Sequence, residues 1–254
     1  MKSPFVMLLL CSITVSSCQK FQDYLQRRDE ILRPDCQIEN IVSSDPISYR
    51  VQLSYHPDGY PMLANVHDDT YPGGDATEFT ISYVYDSLKR LVGESSDYVY
   101  LKRGVFYAYE GNSKLPVRDT VPGLFGDLNI EELEYDALGR IIKVSSYGIG
   151  LPDEGSPVSD KVVYKYFYDL KGNRQEDPSN PDYQGVILYT SKPSLYSLHS
   201  VWKLIHKDYS RNSVDYAESY NDRGLPLIIT RDTVPRFQPF LDMYPGSGIT
   251  YACN

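Results

Sequence analysis

The sequence predicts an all-β protein: an antiparallel meander of about twelve strands made of repeated hairpins, curled or barrel-like, with one short helical insert. Three observations carry this. Apolar and polar residues alternate over runs of strand length, and each run breaks into a turn of one recurring shape. Tyrosine, at 24 residues against 8 phenylalanines, recurs just before those turns.

The first segment is not part of that pattern. Lys2, the apolar run at 5–10 and the small residues that follow have the layout of a signal peptide over residues 1–17. Val15-Ser16-Ser17-Cys18 resembles the lipobox of bacterial lipoproteins, which implies cleavage after Ser17 and lipidation of the Cys18 thiol. Acyl chains contribute about 0.8 kcal/mol per buried CH2, so several would hold the protein at a membrane. The alternative is an ordinary signal peptide with a chance cysteine. Gln19 in place of Asp points, by analogy with lipoprotein sorting, to the outer membrane, on its periplasmic or its surface face. Residues 18–34, polar with QRRDE in the middle, read as the lipidated N-terminus and a tether that lifts the domain off the bilayer.

Residues 35–254 read as a single domain of hairpin repeats. Tyr49, Val51, Leu53 and Tyr55 share a strand face before His56-Pro57-Asp58-Gly59. Phe79, Ile81, Tyr83 and Tyr85 precede Asp86-Ser87-Leu88-Lys89, and Leu133 and Tyr135 precede Asp136-Ala137-Leu138-Gly139. Val162, Tyr164, Tyr166 and Tyr168 precede Asp169-Leu170-Lys171-Gly172, while Val214, Tyr216 and Tyr220 precede Asn221-Asp222-Arg223-Gly224. Asp or Asn opens a type I turn, and glycine at the fourth position accepts the left-handed conformation that closes the hairpin. Lys89 stands where the other four turns have glycine.

Val105, Tyr107 and Tyr109 before Glu110-Gly111-Asn112-Ser113 form a sixth, more degenerate unit. The pentapeptide RDTVP follows it at 118–122 and recurs at 231–235 after the last hairpin. The hairpins therefore read as duplicated halves, about 48–122 and 128–235, with an insert of about 183–212 late in the second. Within the insert Leu195, Leu198, Trp202 and Ile205 fall near helical spacing. Ser200 is placed to cap that helix, which is expected to plug one face or end of the sheet with Trp202.

Cys11 leaves with the signal peptide and lipid occupies Cys18, so Cys36 and Cys253 are the two thiols left in an oxidising compartment. Each lies in an alternating segment at one end of the domain. A Cys36–Cys253 disulfide is expected if the first and last strands lie side by side; otherwise both are unpaired buried cysteines.

The segments Tyr85-Asp86-Ser87-Leu88-Lys89-Arg90-Leu91, Tyr135-Asp136-Ala137-Leu138-Gly139-Arg140-Ile141 and Tyr168-Asp169-Leu170-Lys171-Gly172-Asn173 resemble the YD repeat of Rhs-type proteins. With the lipobox, the layout is similar to YD-like lipoproteins of Gram-negative bacteria, which implies a porin-like antiparallel meander over about residues 36–254. The resemblance brings no catalytic residues, and Rhs shells that enclose toxins are far longer.

The net charge is −9 at pH 7 and one unit more negative once Lys2 leaves, a balance that repels phosphate backbones and makes nucleic acid a poor partner. Neither a GxSxG, an HExxH nor a Walker loop is present, and no cofactor or metal site is expected. His67-Asp68-Asp69 beside Asp75 reads first as a solvated acidic loop and second as a cation site. His199 and His206 lie two helical turns apart, too far to share one metal. Glu132 and Glu134 face one side of a strand and Glu131 the other. A glycosidase would need two carboxylates across a cleft.

The tyrosines have two readings, cross-strand packing with each hydroxyl paired, or an exposed row that stacks on a sugar or peptide. Tyr83, Tyr107, Tyr166 and Trp202 are the candidates for ligand-facing aromatics. The expected function is a non-catalytic binding or structural module held at the cell envelope, with a glycan or protein as its ligand. The alternative is a hydrolase of envelope or dietary polysaccharide.

Overall fold

A computed structural model describes residues 35–43, 49–68, 77–97, 104–123, 127–150, 159–214, 216–231 and 246–253. The signal-peptide and Cys18 expectations therefore lie outside the described residues, as do Asp69, Asp75, the 151–157 loop and residues 232–235 of the second RDTVP. Asp35–Asn254 is one compact unit.

Alternation drives the backbone into strands in chain order: β1 Cys36–Ser43, β2 Tyr49–Tyr55, β3 Pro61–Asp68, β4 Thr77–Tyr85, β5 Leu91–Ser96, β6 Val105–Tyr109 and β7 Pro116–Pro122. Then follow β8 Leu128–Tyr135, β9 Ile141–Ile149, β10 Val162–Tyr168, β11 Arg174–Glu176, β12 Tyr216–Tyr220, β13 Pro226–Arg231 and β14 Gly248–Cys253. All pair antiparallel in one 14-stranded sheet of order β11-β10-β9-β8-β7-β6-β5-β4-β3-β2-β1-β14-β13-β12. The twelve hairpin strands are β2 to β13. The two beyond the expected count are the terminal strands, which pair with each other from Cys36 opposite Cys253 to Val42 opposite Gly248. Cys36 and Cys253 are joined by a disulfide.

The turns are set by their first residue and their glycine. Asp86 Oδ1 accepts from the N–H groups of Leu88 and Arg90, and the Asp86 carbonyl accepts from Lys89 N–H. Asp136, Asp169 and Asn221 repeat the arrangement. Gly59, Gly139, Gly172 and Gly224 all have positive φ, and Lys89 adopts the same conformation at φ 60°. The hairpin signal thus survives loss of its glycine, at a cost of about 1 kcal/mol in backbone strain.

In an unbroken meander alternate connections lie at alternate ends. The six tight turns, at 56–60, 86–90, 110–115, 136–140, 169–173 and 221–225, therefore share one end of the sheet. Asp35 and the disulfide lie there too: Arg223 donates to the Asp35 carbonyl, and Gly59 packs against the Gln37 side chain. The connections at the opposite end are the longer ones.

The sheet is not closed by strand pairing. The segment 177–214 occupies the seam between the edge strands β11 and β12. Arg211 N–H donates to the Gly172 carbonyl, and the Gln175 amide bonds both N–H and C=O of Ile187 as a strand would. Across the seam the Lys192 ammonium lies 4.6 Å above the Tyr220 ring. Covering both edges in this way removes two templates for aggregation.

The same segment carries a 3-10 turn, Leu195–Leu198, and helix α1, Ser200–Ile205. His199 rather than Ser200 caps α1: its Nδ1 accepts from Val201 N–H, and Ser200 is the first helical residue. Trp202, 1% exposed, packs edge-to-face on Tyr83 at 5.6 Å and donates its indole N–H to Tyr55. Lys207, just past the helix, reaches Glu131 on β8. In a flat sheet β2 and β8 would stand about 29 Å apart, so Trp202 and Lys207, close together on the insert, reach both only because the sheet curls around it.

Candidate functional site

The curled sheet has an inner and an outer face, and each carries a polar constellation. On the inner face, cross-strand register sets Tyr107 opposite Asp119 and Asp119 opposite Glu131. Glu94 on β5 accepts a 2.6 Å hydrogen bond from Tyr107 Oη. Lys207 Nζ stands 2.9 Å from Asp119 and 2.5 Å from Glu131. Asp119 has no solvent exposure, and its second oxygen, Oδ1, accepts no hydrogen bond.

Burial pushes the Glu94 carboxyl up to about 7, against the Tyr107 hydrogen bond and the attraction of Lys207. Burial also raises Asp119, with Glu131 adding to it and Lys207 opposing. Burial acts against the Lys207 charge, but Asp119 and Glu131 outweigh it and hold the ammonium above its ordinary range. The cluster is a clasp: the insert places one cation on two carboxylates of the curled sheet. Asp119 and Glu131 are thereby both engaged by Lys207, and Asp119 is out of reach of a substrate.

The remaining carboxylates of β8 are engaged on the outside. Glu132 pairs with Lys161 and Glu134 with Lys143, so the alternation expected for Glu131, Glu132 and Glu134 is the one observed.

The ligand-facing aromatics need correction. Tyr83, Tyr107 and Trp202 are in the core, because their strand positions and α1 point to the inner face that the insert fills. Tyr166 is half-buried with the Arg174 guanidinium 4.8 Å above its ring, which occupies the face a ligand would stack on. His199 and His206 are held by aromatic neighbours, Tyr60 at 5.0 Å and Tyr196 at 4.0 Å. Among the described residues, no group of three or more His, Cys, Asp or Glu side chains could hold a metal ion.

The outer face carries a pocket of about 550 Å³ on β2, β3 and β4, within the usual range of about 300–1,000 Å³ for small-ligand sites. Arg50, Gln52, Asn65, His67, Glu78 and Asp97 line it. Arg50, Gln52, Asn65, His67 and Glu78 stand at outward positions of strands whose inward residues, such as Val51, Val66 and Phe79, are core, and Asp97 directly follows β5. Asp97 Oδ1 accepts from Thr80 N–H at 2.6 Å, Thr80 Oγ1 donates to Asn65 at 3.2 Å, and His67 Nδ1 lies 3.4 Å from Glu78. Arg50 is the second residue of β2, while His67 is the last but one of β3, beside the start of β4. The pocket therefore lies toward the long-connection end, away from Asp35 and the tight turns. Its one sequence signal was the polar outward row Arg50, Gln52, Ser54. Nothing local in the sequence pairs that row with Asn65, Glu78 and Asp97.

No family model matches the chain, and no curated protein is similar to it in sequence. Among solved structures it is similar to a porin-like protein from Bacteroides uniformis, at 10% identity and a TM-score of 0.47, over 86% of this chain and 95% of that one.

Proposed function

We propose that this chain is a non-catalytic binding module of the cell envelope, held through an acylated Cys18, whose outer pocket takes a hydroxyl-rich ligand, a glycan. The pocket carries the proposal. Arg50, Gln52, Asn65, His67, Glu78 and Asp97 offer planar donors and acceptors of both kinds within one site, which suits hydroxyl groups that donate and accept at once.

Two further observations support the reading. The outward strand positions include Arg50, Gln52, Asn65, Glu78, Arg118, Glu134 and Lys165, all exposed. A lipid-facing Arg or Lys at mid-bilayer costs about 2–4 kcal/mol, so this outer face is built for water, and attachment falls to the lipid. The inner carboxylates are clasped by Lys207, which weighs against hydrolysis by that pair.

Affinity electrophoresis of the mature chain through gels cast with envelope and dietary polysaccharides tests the pocket. Retardation by at least one polymer, lost in Arg50→Ala and in Asn65→Ala, is the expected result. Unretarded migration in all of them, or retardation that both variants keep, overturns the assignment.

A further inference from the structure

We propose that the tight-turn end of the sheet is a bilayer-contacting surface on which Leu88, Leu138 and Leu170 enter the lipid interface. The proposal rests on the acylation of Cys18 assigned above.

Turn tips between an Asp cap and a glycine are ordinarily polar, because nothing is there to bury a large side chain. Here leucine stands at three tips, two before a glycine and one before Lys89 in the glycine's place. Leu88 is 46% exposed, Leu138 39%, and Leu170 fully. Their display is fixed. The backbone N–H groups of Leu88 and Leu138 are each held at 2.9 Å by the turn's opening Asp, so the two side chains project from equivalent positions. In the β10–β11 turn, Asp169 binds Lys171 N–H instead and Leu170 takes the preceding position.

The occupant follows from where the chain enters. Asp35 lies at this end, bound by Arg223 of the β12–β13 turn, and the chain from Cys18 joins the domain there. Cys18 lies 17 positions before Asp35, so acyl chains on it tether the domain to the bilayer by the end that carries the leucines. Charge agrees: Lys89, Lys114, Lys171 and Arg223 are exposed on these turns. Of the acidic tip residues, Asp58 is paired to Lys89 at 2.6 Å, while Glu110 and Asp222 are exposed. Basic residues beside exposed leucines are the composition of interfacial anchors. The arrangement turns the pocket away from the membrane.

The test uses the full lipidated chain in vesicles of phosphatidylethanolamine and phosphatidylglycerol. An environment-sensitive nitrobenzoxadiazole dye is placed at Leu138→Cys and, as the control at the opposite end, at Asp127→Cys. Dithionite quenching is expected to be slower at position 138 than at 127 by on the order of ten-fold, with a blue-shifted emission only at 138. Equal quenching at the two positions in protein that floats with the vesicles overturns the docking and leaves the anchor standing. Protein that does not float overturns the anchor and the docking with it. Protection of position 138 without vesicles, rising with protein concentration, assigns the leucines to a second copy of the chain and also overturns the proposal. Leu88→Asp with Leu170→Asp should restore quenching at 138 without releasing the protein from the vesicles.

Discussion

The hydroxyl of Tyr85, the last residue of β4, donates to the carbonyl of Pro61, the first residue of β3, at 2.9 Å. Tyr109 does the same to Leu91, Tyr168 to Ile141 and Tyr251 to Pro226, while Tyr55 reaches the Ile38 carbonyl on β1. Tyr85, Tyr109 and Tyr168 thus tie their hairpins to the preceding one, and Tyr55 and Tyr251 tie the terminal strands to their neighbours. Arg90 and Arg140, which follow the turns, lie 4.5 and 4.0 Å above the next hairpin's Tyr109 and Tyr168. The high tyrosine content is, at these positions, a fastening repeated along the sheet.

Tyr85→Phe should therefore cost about 1 kcal/mol, the usual net worth of such a bond. Tyr135 is the informative contrast, since its hydroxyl is buried and accepts or donates no hydrogen bond. Tyr135→Phe should be neutral or stabilising. Urea denaturation of the two variants checks the difference, and an equal cost for both would remove the fastening role.

Lys207→Met should cost about 3 kcal/mol at pH 7, because it strands Asp119 and Glu131 in the interior without their cation. The loss should shrink as pH falls and Asp119, whose carboxyl burial already raises, takes up a proton. Asp119→Asn in the Lys207→Met background should recover part of it, which denaturation of the single and double variants would show.

Glu94 predicts a second pH effect. Between its ordinary value of 4.5 and about 7 the folded protein holds a proton that the unfolded chain has released. Stability is therefore largest below that window and falls as pH rises through it, by on the order of 3 kcal/mol. Glu94→Gln keeps an acceptor for Tyr107 and removes the titration. Its stability should change less between pH 5 and 8 and exceed that of the natural chain at pH 8.

Reduction of the Cys36–Cys253 bond frees a separation of 217 residues, which a chain-entropy estimate values at about 5 kcal/mol or less. Dithiothreitol should lower the urea midpoint of the natural chain and leave that of Cys36→Ser with Cys253→Ser unchanged.

Alternation and turn chemistry were legible because both are local: the period of two, the opening Asp and the closing glycine sit within a few residues of one another. The terminal pair was legible less directly, through two cysteines and a closure that alternation alone does not demand. What the sequence hid are contacts made by curling. Asp119 shares a strand face with Val117 and Val121, so a charge at a core position was readable, but its partner Lys207 lies 88 positions away on an insert with no repeat to register it. The aromatic candidates failed for the same reason: Tyr83 and Tyr107 face inward by alternation, and only the helix that fills the interior decides that inward means buried.

The central claim, a binding module whose acids are structural, is tested most directly by incubating the mature chain with a polysaccharide that retards it and separating the mixture by size. Protein is expected to elute with a polymer of unchanged chain length. A shortened polymer would contradict it.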